Sequence, residues 1–123
     1  MGRISQFVCP DCRQAWKISL GHGLRHAVLD KVLNEFSQEM REKILARIGG
    51  QQIFDFDFNY RAAVCGHCGE VVAVPVLALR GMGEPFVGEC PACGHAPEIG
   101  GETLACPHCG AARLEEQTVG MWD

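Results

Sequence analysis

The alternation of apolar and polar positions divides the chain into strands, one helical stretch and a set of tight loops. Ile4 and Phe7–Val8, then Ala15–Trp16–Lys17–Ile18, flank a loop at residues 9–12 and predict a short hairpin over residues 3–20. Gly21 and Gly23 break that pattern. Over residues 24–48 the period changes: Leu29, Leu33, Phe36, Met40, Ile44 and Ile48 recur at steps of three or four, which makes one apolar stripe of a helical segment. The segment reads as one helix or two, the later part capped by Ser37, with Glu39 in its first turn, Lys43 and Arg47 toward its end, and Gly49–Gly50 as its stop. The stripe is expected to pack on the sheet of its own domain; the alternative is a partner-binding face. Residues 52–60 return to a period of two, with Phe54, Phe56, Phe58 and Tyr60 on one face and Asp55, Asp57 and Asn59 on the other, the pattern of a half-buried strand. Val71–Val74 and Val76–Leu79 predict a further strand, interrupted by Pro75. Proline donates no hydrogen bond, so this strand is expected at an edge or with a bulge.

Gly81–Met82–Gly83–Glu84–Pro85 predicts a turn or linker. It is the expected boundary between a module of residues 1–80, with a helical insertion at 24–48, and a compact unit of residues 86–114 that turns at Gly100–Gly101. Residues 115–123 are expected to be a short tail, with Met121 and Trp122 docked on a surface.

The loops carry the chemistry. All eight cysteines fall in four pairs: Cys9–Pro10–Asp11–Cys12, Cys65–Gly66–His67–Cys68, Cys90–Pro91–Ala92–Cys93 and Cys106–Pro107–His108–Cys109. A C-x-x-C turn sets two sulfurs on one side of a loop, and two such turns complete a tetrahedral site. The chain is therefore expected to hold two zinc ions, with Cys9, Cys12, Cys65, Cys68, Cys90, Cys93, Cys106 and Cys109 as ligands. Small modules bury little apolar surface, and such a metal staples them.

Spacing leaves the pairing open. Sequential pairing joins Cys9/Cys12 with Cys65/Cys68 across 52 intervening residues, and Cys90/Cys93 with Cys106/Cys109 across twelve. The second set then has the spacing of many zinc ribbons. The alternative joins Cys65/Cys68 with Cys90/Cys93 across 21 residues and leaves the first and last pairs together. Loop-closure entropy favours the sequential scheme. The expected fold is thus a small α+β zinc-ribbon protein with two four-cysteine sites and a helical insertion between the halves of the first ribbon.

Residues 7–80 resemble the bacterial CpXC family. The likeness rests on the C-P-x-C knuckle at Cys9, Pro10 and Cys12, a helical middle with Glu39–Met40–Arg41–Glu42–Lys43–Ile44–Leu45, and Cys65, Cys68 and Gly69 followed by an apolar strand. Gly66 stands where that family tends to have proline. The resemblance implies the sequential pairing and no activity. Residues 90–113 resemble generic zinc ribbons and the rubredoxin-like tail of rubrerythrins, which implies iron and electron transfer as the second possibility for the metal. Rubredoxin-like sites are usually wrapped by aromatic side chains, and none lies between Gly94 and Cys106.

Charge and composition narrow the function. Net charge is −4. Residues 1–60 carry eight Lys and Arg against seven Asp and Glu, and residues 61–123 carry three against eight. Nucleic-acid binding needs phosphate neutralisation, to which the C-terminal half is poorly suited; a patch of Arg41, Lys43 and Arg47 beside Arg13 and Lys17 would be its basis. No apolar run approaches a membrane span. Met1–Gly2–Arg3–Ile4–Ser5–Gln6 shows no leader pattern, so a cytosolic setting is expected, where paired cysteines are metal ligands rather than disulfides.

Cys65–Gly66–His67–Cys68 matches a disulfide-isomerase motif, but Gly69 and a β-branched run follow it where a redox dithiol needs a helix. His22 and His26 are four apart and supply only half a ligand set; Asp55 and Asp57 read as a solvated strand face. The chain has no phosphate-binding loop, no nucleophile elbow and no H-E-x-x-H. A four-thiolate zinc has no open position. The expected role is noncatalytic: an adaptor or accessory subunit that meets a protein partner through the helical stripe or the strand near Pro75.

Overall fold

Residues 2–51, 55–81, 83–99, 104–111 and 113–122 are described by a computed structural model. Phe54, Met82 and the expected turn at Gly100–Gly101 lie outside the described residues.

Two hairpins turn on cysteine loops. Strands β1 (Gly2–Val8) and β2 (Ala15–Gly21) pair antiparallel from Gly2↔Gly21 to Val8↔Ala15. Strands β3 (Phe56–Cys65) and β4 (Glu70–Leu79) pair from Phe56↔Leu79 to Cys65↔Glu70. These are the segments richest in aromatic and β-branched residues, which suit a pleated, half-buried surface. After Gly81 the chain turns back onto the second hairpin. Two-residue strands β5 (Phe86–Val87) and β6 (Glu98–Ile99) lie along β4 and β3 respectively.

Residues 115–122 are not a tail. They form β7 (Glu115–Trp122), which pairs with β1 from Val8↔Glu115 to Gly2↔Trp122 and leaves Val119 as a bulge between Ile4 and Ser5. The pattern hid this strand because its first four residues, Glu115, Glu116, Gln117 and Thr118, are all exposed and show no apolar alternation. Trp122 docks as expected, whereas Met121 is exposed. Its indole N–H donates to the Leu20 carbonyl at 3.0 Å, and the ring occupies the space a side chain at position 2 would need, so only glycine fits there.

The sheet runs β5-β4-β3-β2-β1-β7, with β6 also on β3. The two hairpins join through the single pair Gly21↔Tyr60. The β3–β4 register passes through Tyr60↔Pro75 without a shift, so Pro75 makes no bulge. Among the described residues the outer edge of β4 carries only β5, at Val76 and Leu77, and the Pro75 carbonyl accepts the Gly88 N–H at 2.8 Å. The missing proline N–H is therefore tolerated beside an edge.

The helical segment is a 3-10 turn (Leu24–Ala27), α1 (Leu29–Leu33) and α2 (Gln38–Ile48). Ser37 Oγ accepts the Met40 N–H at 3.2 Å, and Gly49, at φ 61°, donates to the Leu45 carbonyl. Both are the caps that local chemistry favours. Val32, Leu33, Phe36, Ile44 and Ile48 pack on Phe58, Leu77 and Leu79. The stripe thus faces its own sheet, and full burial of a side chain such as Ile44 contributes about 1.5–3 kcal/mol.

Strand β4 is shared by three cores. Val71 packs with Phe7, Leu20, Leu104 and Leu114; Val72, Val74 and Val76 pack with Ala63; Leu77 and Leu79 lie under the helices. No helix among the described residues is long and apolar enough to cross a membrane.

Candidate metal centres

Each cysteine loop is the turn between two strands or the approach to one, and the strand ladders decide which loops meet. Strand β7 returns to β1 and brings residues 106–109 to residues 9–12. Strand β6 returns to β3 and brings residues 90–93 to residues 65–68. The sulfurs of Cys9, Cys12, Cys106 and Cys109 all lie within 4.8 Å of one another, and so do those of Cys65, Cys68, Cys90 and Cys93.

This overturns the sequential pairing. Cys9/Cys12 do not join Cys65/Cys68, and residues 86–114 do not close a site of their own. The two schemes differ by only about 1 kcal/mol in loop-closure entropy, which the ladders of β6 and β7 outweigh. The insertion between the halves of the first site is correspondingly larger: it holds the helices and an entire second hairpin with its returning strand. We call the two units the outer ribbon (β1, β2, β7) and the inner ribbon (β3, β4, β6).

The two centres match. Cys9 Sγ and Cys109 Sγ are 3.4 Å apart, and Cys12 Sγ and Cys106 Sγ 3.7 Å. In the inner ribbon Cys65 and Cys93 are 3.4 Å apart, and Cys68 and Cys90 3.7 Å. A tetrahedral ion with metal–sulfur bonds of about 2.3 Å needs sulfurs about 3.8 Å apart, whereas a disulfide needs about 2.05 Å. None of the eight cysteines is in a disulfide.

The loops share one backbone form. The residue after the second cysteine is left-handed in each: Arg13 at φ 64°, Gly69 at 70°, Gly94 at 78° and Gly110 at 79°. Its N–H donates to the carbonyl of the first cysteine, at 2.8–3.0 Å in all four loops. Three glycines stand where that conformation costs them little; Arg13 alone adopts it with a side chain.

Crowding four thiols splits their acidities. The Cys68 backbone N–H, opposed by burial, lowers Cys65 to about 6. The Cys12 N–H likewise lowers Cys9 to about 7. Burial and the neighbouring Cys65 thiolate push Cys68 up to about 12. The Ala111 N–H pulls Cys109 down, but the Cys9 thiolate and burial raise it to about 12. Like charges this close cannot all ionise unaided; a cation at the centre of each set removes the conflict. Each set could hold one metal ion with four protein ligands and no position left open.

The other candidates separate. His22 Nδ1 faces Asn59 Oδ1 at 2.9 Å. His26 is buried, accepts the Gly23 N–H at Nδ1, and so presents Nε2–H to Glu35 at 3.2 Å. Glu35 also accepts the Tyr60 hydroxyl. The two histidines therefore serve different contacts. Asp55 pairs with Arg80 at 3.0 Å, and Asp57 is exposed. Cys65–Cys68 leads through Gly69 into β4 rather than a helix, as expected. Arg41 turns inward toward the Phe36 carbonyl, Lys43 lies near Glu39, and Arg47 sits over Phe86.

Two features escaped the sequence reading. An open groove of about 500 Å³ runs between the ribbons, lined by Ile18 and Trp122 from the outer one and by Tyr60, Val71, Ala73 and Pro91 from the inner one. It was hidden because it depends on the hairpin-to-hairpin junction. The second is a pair of stacked histidines, His67 and His95, visible only once the third loop is placed on the second. Compared with protein-family models, curated proteins and solved structures, the chain matches none.

Proposed function

We propose that this chain is a noncatalytic zinc protein in which two four-thiolate ions staple nested ribbons, and that it acts as an adaptor or accessory subunit through protein contacts. The observation that carries the reading is the pair of matching four-sulfur sets, each supplying a complete tetrahedral shell. Such an ion holds structure and offers no place for water or substrate. Zinc is the usual metal of C-x-x-C ribbons outside dedicated redox carriers.

The helical stripe is used internally, so the partner surface lies elsewhere. We place it at the groove between the ribbons, whose lining is mostly apolar and includes the rings of Tyr60 and Trp122. Aromatic side chains of this kind dominate protein contact surfaces.

The test is native purification with metal analysis and mass measurement of whatever co-elutes, done in parallel on Ser19→Arg. Ser19 is exposed and lines the groove, so the substitution blocks it without touching a core. The expected result is two zinc ions per chain in both forms and one stoichiometric protein that is lost in the variant. Iron with visible colour would replace the zinc reading by electron transfer. Nucleic acid in place of a protein would overturn the adaptor reading.

A further inference from the structure

We propose that His67, His95 and Cys93 form a third, outward-facing metal site through which the inner ribbon takes up and releases its zinc ion. The inference rests on reading the inner cysteines as a zinc site. The ligand atoms of these three residues lie within 4.8 Å of one another; both histidines are exposed and Cys93 is half-buried. The imidazole rings stack with centroids 3.6 Å apart and planes 11° apart, brought together from separate cysteine loops; nitrogen lone pairs lie in the ring planes, so the two exposed rings turn out of this stack to meet one ion.

The fold does not require this pair. In the outer ribbon the matching positions are Asp11, third in its first loop, and Ala111, second after its last loop. The same backbone therefore closes a four-sulfur site without histidines at these two positions. His95 is also oriented. Its Nδ1 faces the Cys93 carbonyl at 3.2 Å, and a carbonyl only accepts, so Nδ1 carries the proton and Nε2 keeps its lone pair. A carbonyl behind the ring is the usual arrangement for a metal-binding histidine.

Two imidazoles and a thiolate make a borderline donor set that suits zinc and does not suit calcium or magnesium. Cys93 belongs to both groups, and a thiolate sulfur bound to one metal retains lone pairs for another. An arriving hydrated zinc ion exchanges waters for His67 and His95, then for the Cys93 sulfur. Cys65, Cys68 and Cys90 next replace the imidazoles, and any protons still on those thiols pass to solvent. Release runs the same exchanges backwards, with no change of oxidation state.

The experiment uses the full chain, in wild type and in a His67→Gln/His95→Gln double variant. Zinc stoichiometry is measured by equilibrium dialysis, and the rate of zinc transfer to a chromogenic chelator is followed, with the inner phase assigned in a Cys109→Ser background. The expected result is a third zinc equivalent in wild type, its loss in the double variant with two ions retained, and transfer from the inner site slowed about tenfold. A wild type that stops at two ions would overturn the proposal, as would a third ion that survives in the double variant or an inner rate that does not change. A protein that binds no zinc at the cysteines would instead refute the structural-zinc reading.

Discussion

In the outer ribbon the facing cysteine loops stand 94 to 100 positions apart in the chain, and their sulfurs pack with Phe7 and Trp16. In the inner ribbon they stand 22 to 28 positions apart, among Ala63, Val72, Val74 and Val87. Yet the sulfur–sulfur distances are the same, 3.4 and 3.7 Å. Neither loop length nor the surrounding side chains sets the geometry. The backbone form of the loop sets it, together with a strand that returns to the first strand of each hairpin. What differs is support. The inner hairpin supplies β4, which all three cores use. The outer ribbon leans on it through Val71 and through the Trp16 indole, which donates to Glu70 at 2.6 Å.

The largest effect should come from removing one ligand on either side. Cys65→Ser is expected to lose the inner ion and abolish cooperative unfolding of the whole chain, since structural zinc contributes on the order of 10 kcal/mol to small domains. Cys9→Ser should free β1, β2 and β7 while α2 and β4 keep their hydrogen-exchange protection. Thermal unfolding by circular dichroism and amide exchange would separate the two. An intact helical core in Cys65→Ser would show that the outer ribbon is the support instead.

Acid should distinguish the centres next. A thiol whose pKa falls on folding adds stability above its unfolded value of 9.0, and that contribution is lost as pH falls through the folded value, about 7 for Cys9 and about 6 for Cys65. Cys68 and Cys109 are both raised to about 12 and do not distinguish the sites. Protons compete with metal for thiolates, so the outer ion should leave at the higher pH. Cobalt-substituted protein, read by its visible bands during acidification, would show two steps. Inner release first would break the assignment.

The smallest effect concerns one residue of backbone. A side chain in the left-handed region costs roughly 1–2 kcal/mol, part of which glycine's flexibility returns. Arg13→Gly should therefore stabilise the outer ribbon by about 1 kcal/mol, and Gly69→Ala should destabilise the inner one by about as much. Denaturant midpoints at saturating zinc would measure both. Equal and opposite shifts would confirm that the loops are interchangeable in form.

The parts legible in sequence were those written in local chemistry. Ser37 and Gly49 mark the ends of α2 because caps depend on adjacent residues, and the stripe from Leu29 to Ile48 announces its buried face by period alone. The grouping of eight cysteines into loops was equally plain. The pairing was not, because it depends on β6, two residues long, and on β7, whose exposed Glu115–Thr118 stretch carries no strand pattern. A repeated order of strand, C-x-x-C, strand and a further C-x-x-C was present in the chain. Reading it as nested required knowing that β7 returns to β1.

That nesting has a consequence for how the molecule is made. The inner loops emerge close together and can engage each other while synthesis continues. Cys9 emerges well before its neighbour Cys109, which is 100 positions later. At elongation rates of about 5–20 residues per second, Cys9 and Cys12 wait roughly 5–20 s as unshielded thiols. Of the two ribbons the one begun first is finished last, and its interval of exposure to oxidants and stray metals is set by the ribosome rather than by the fold.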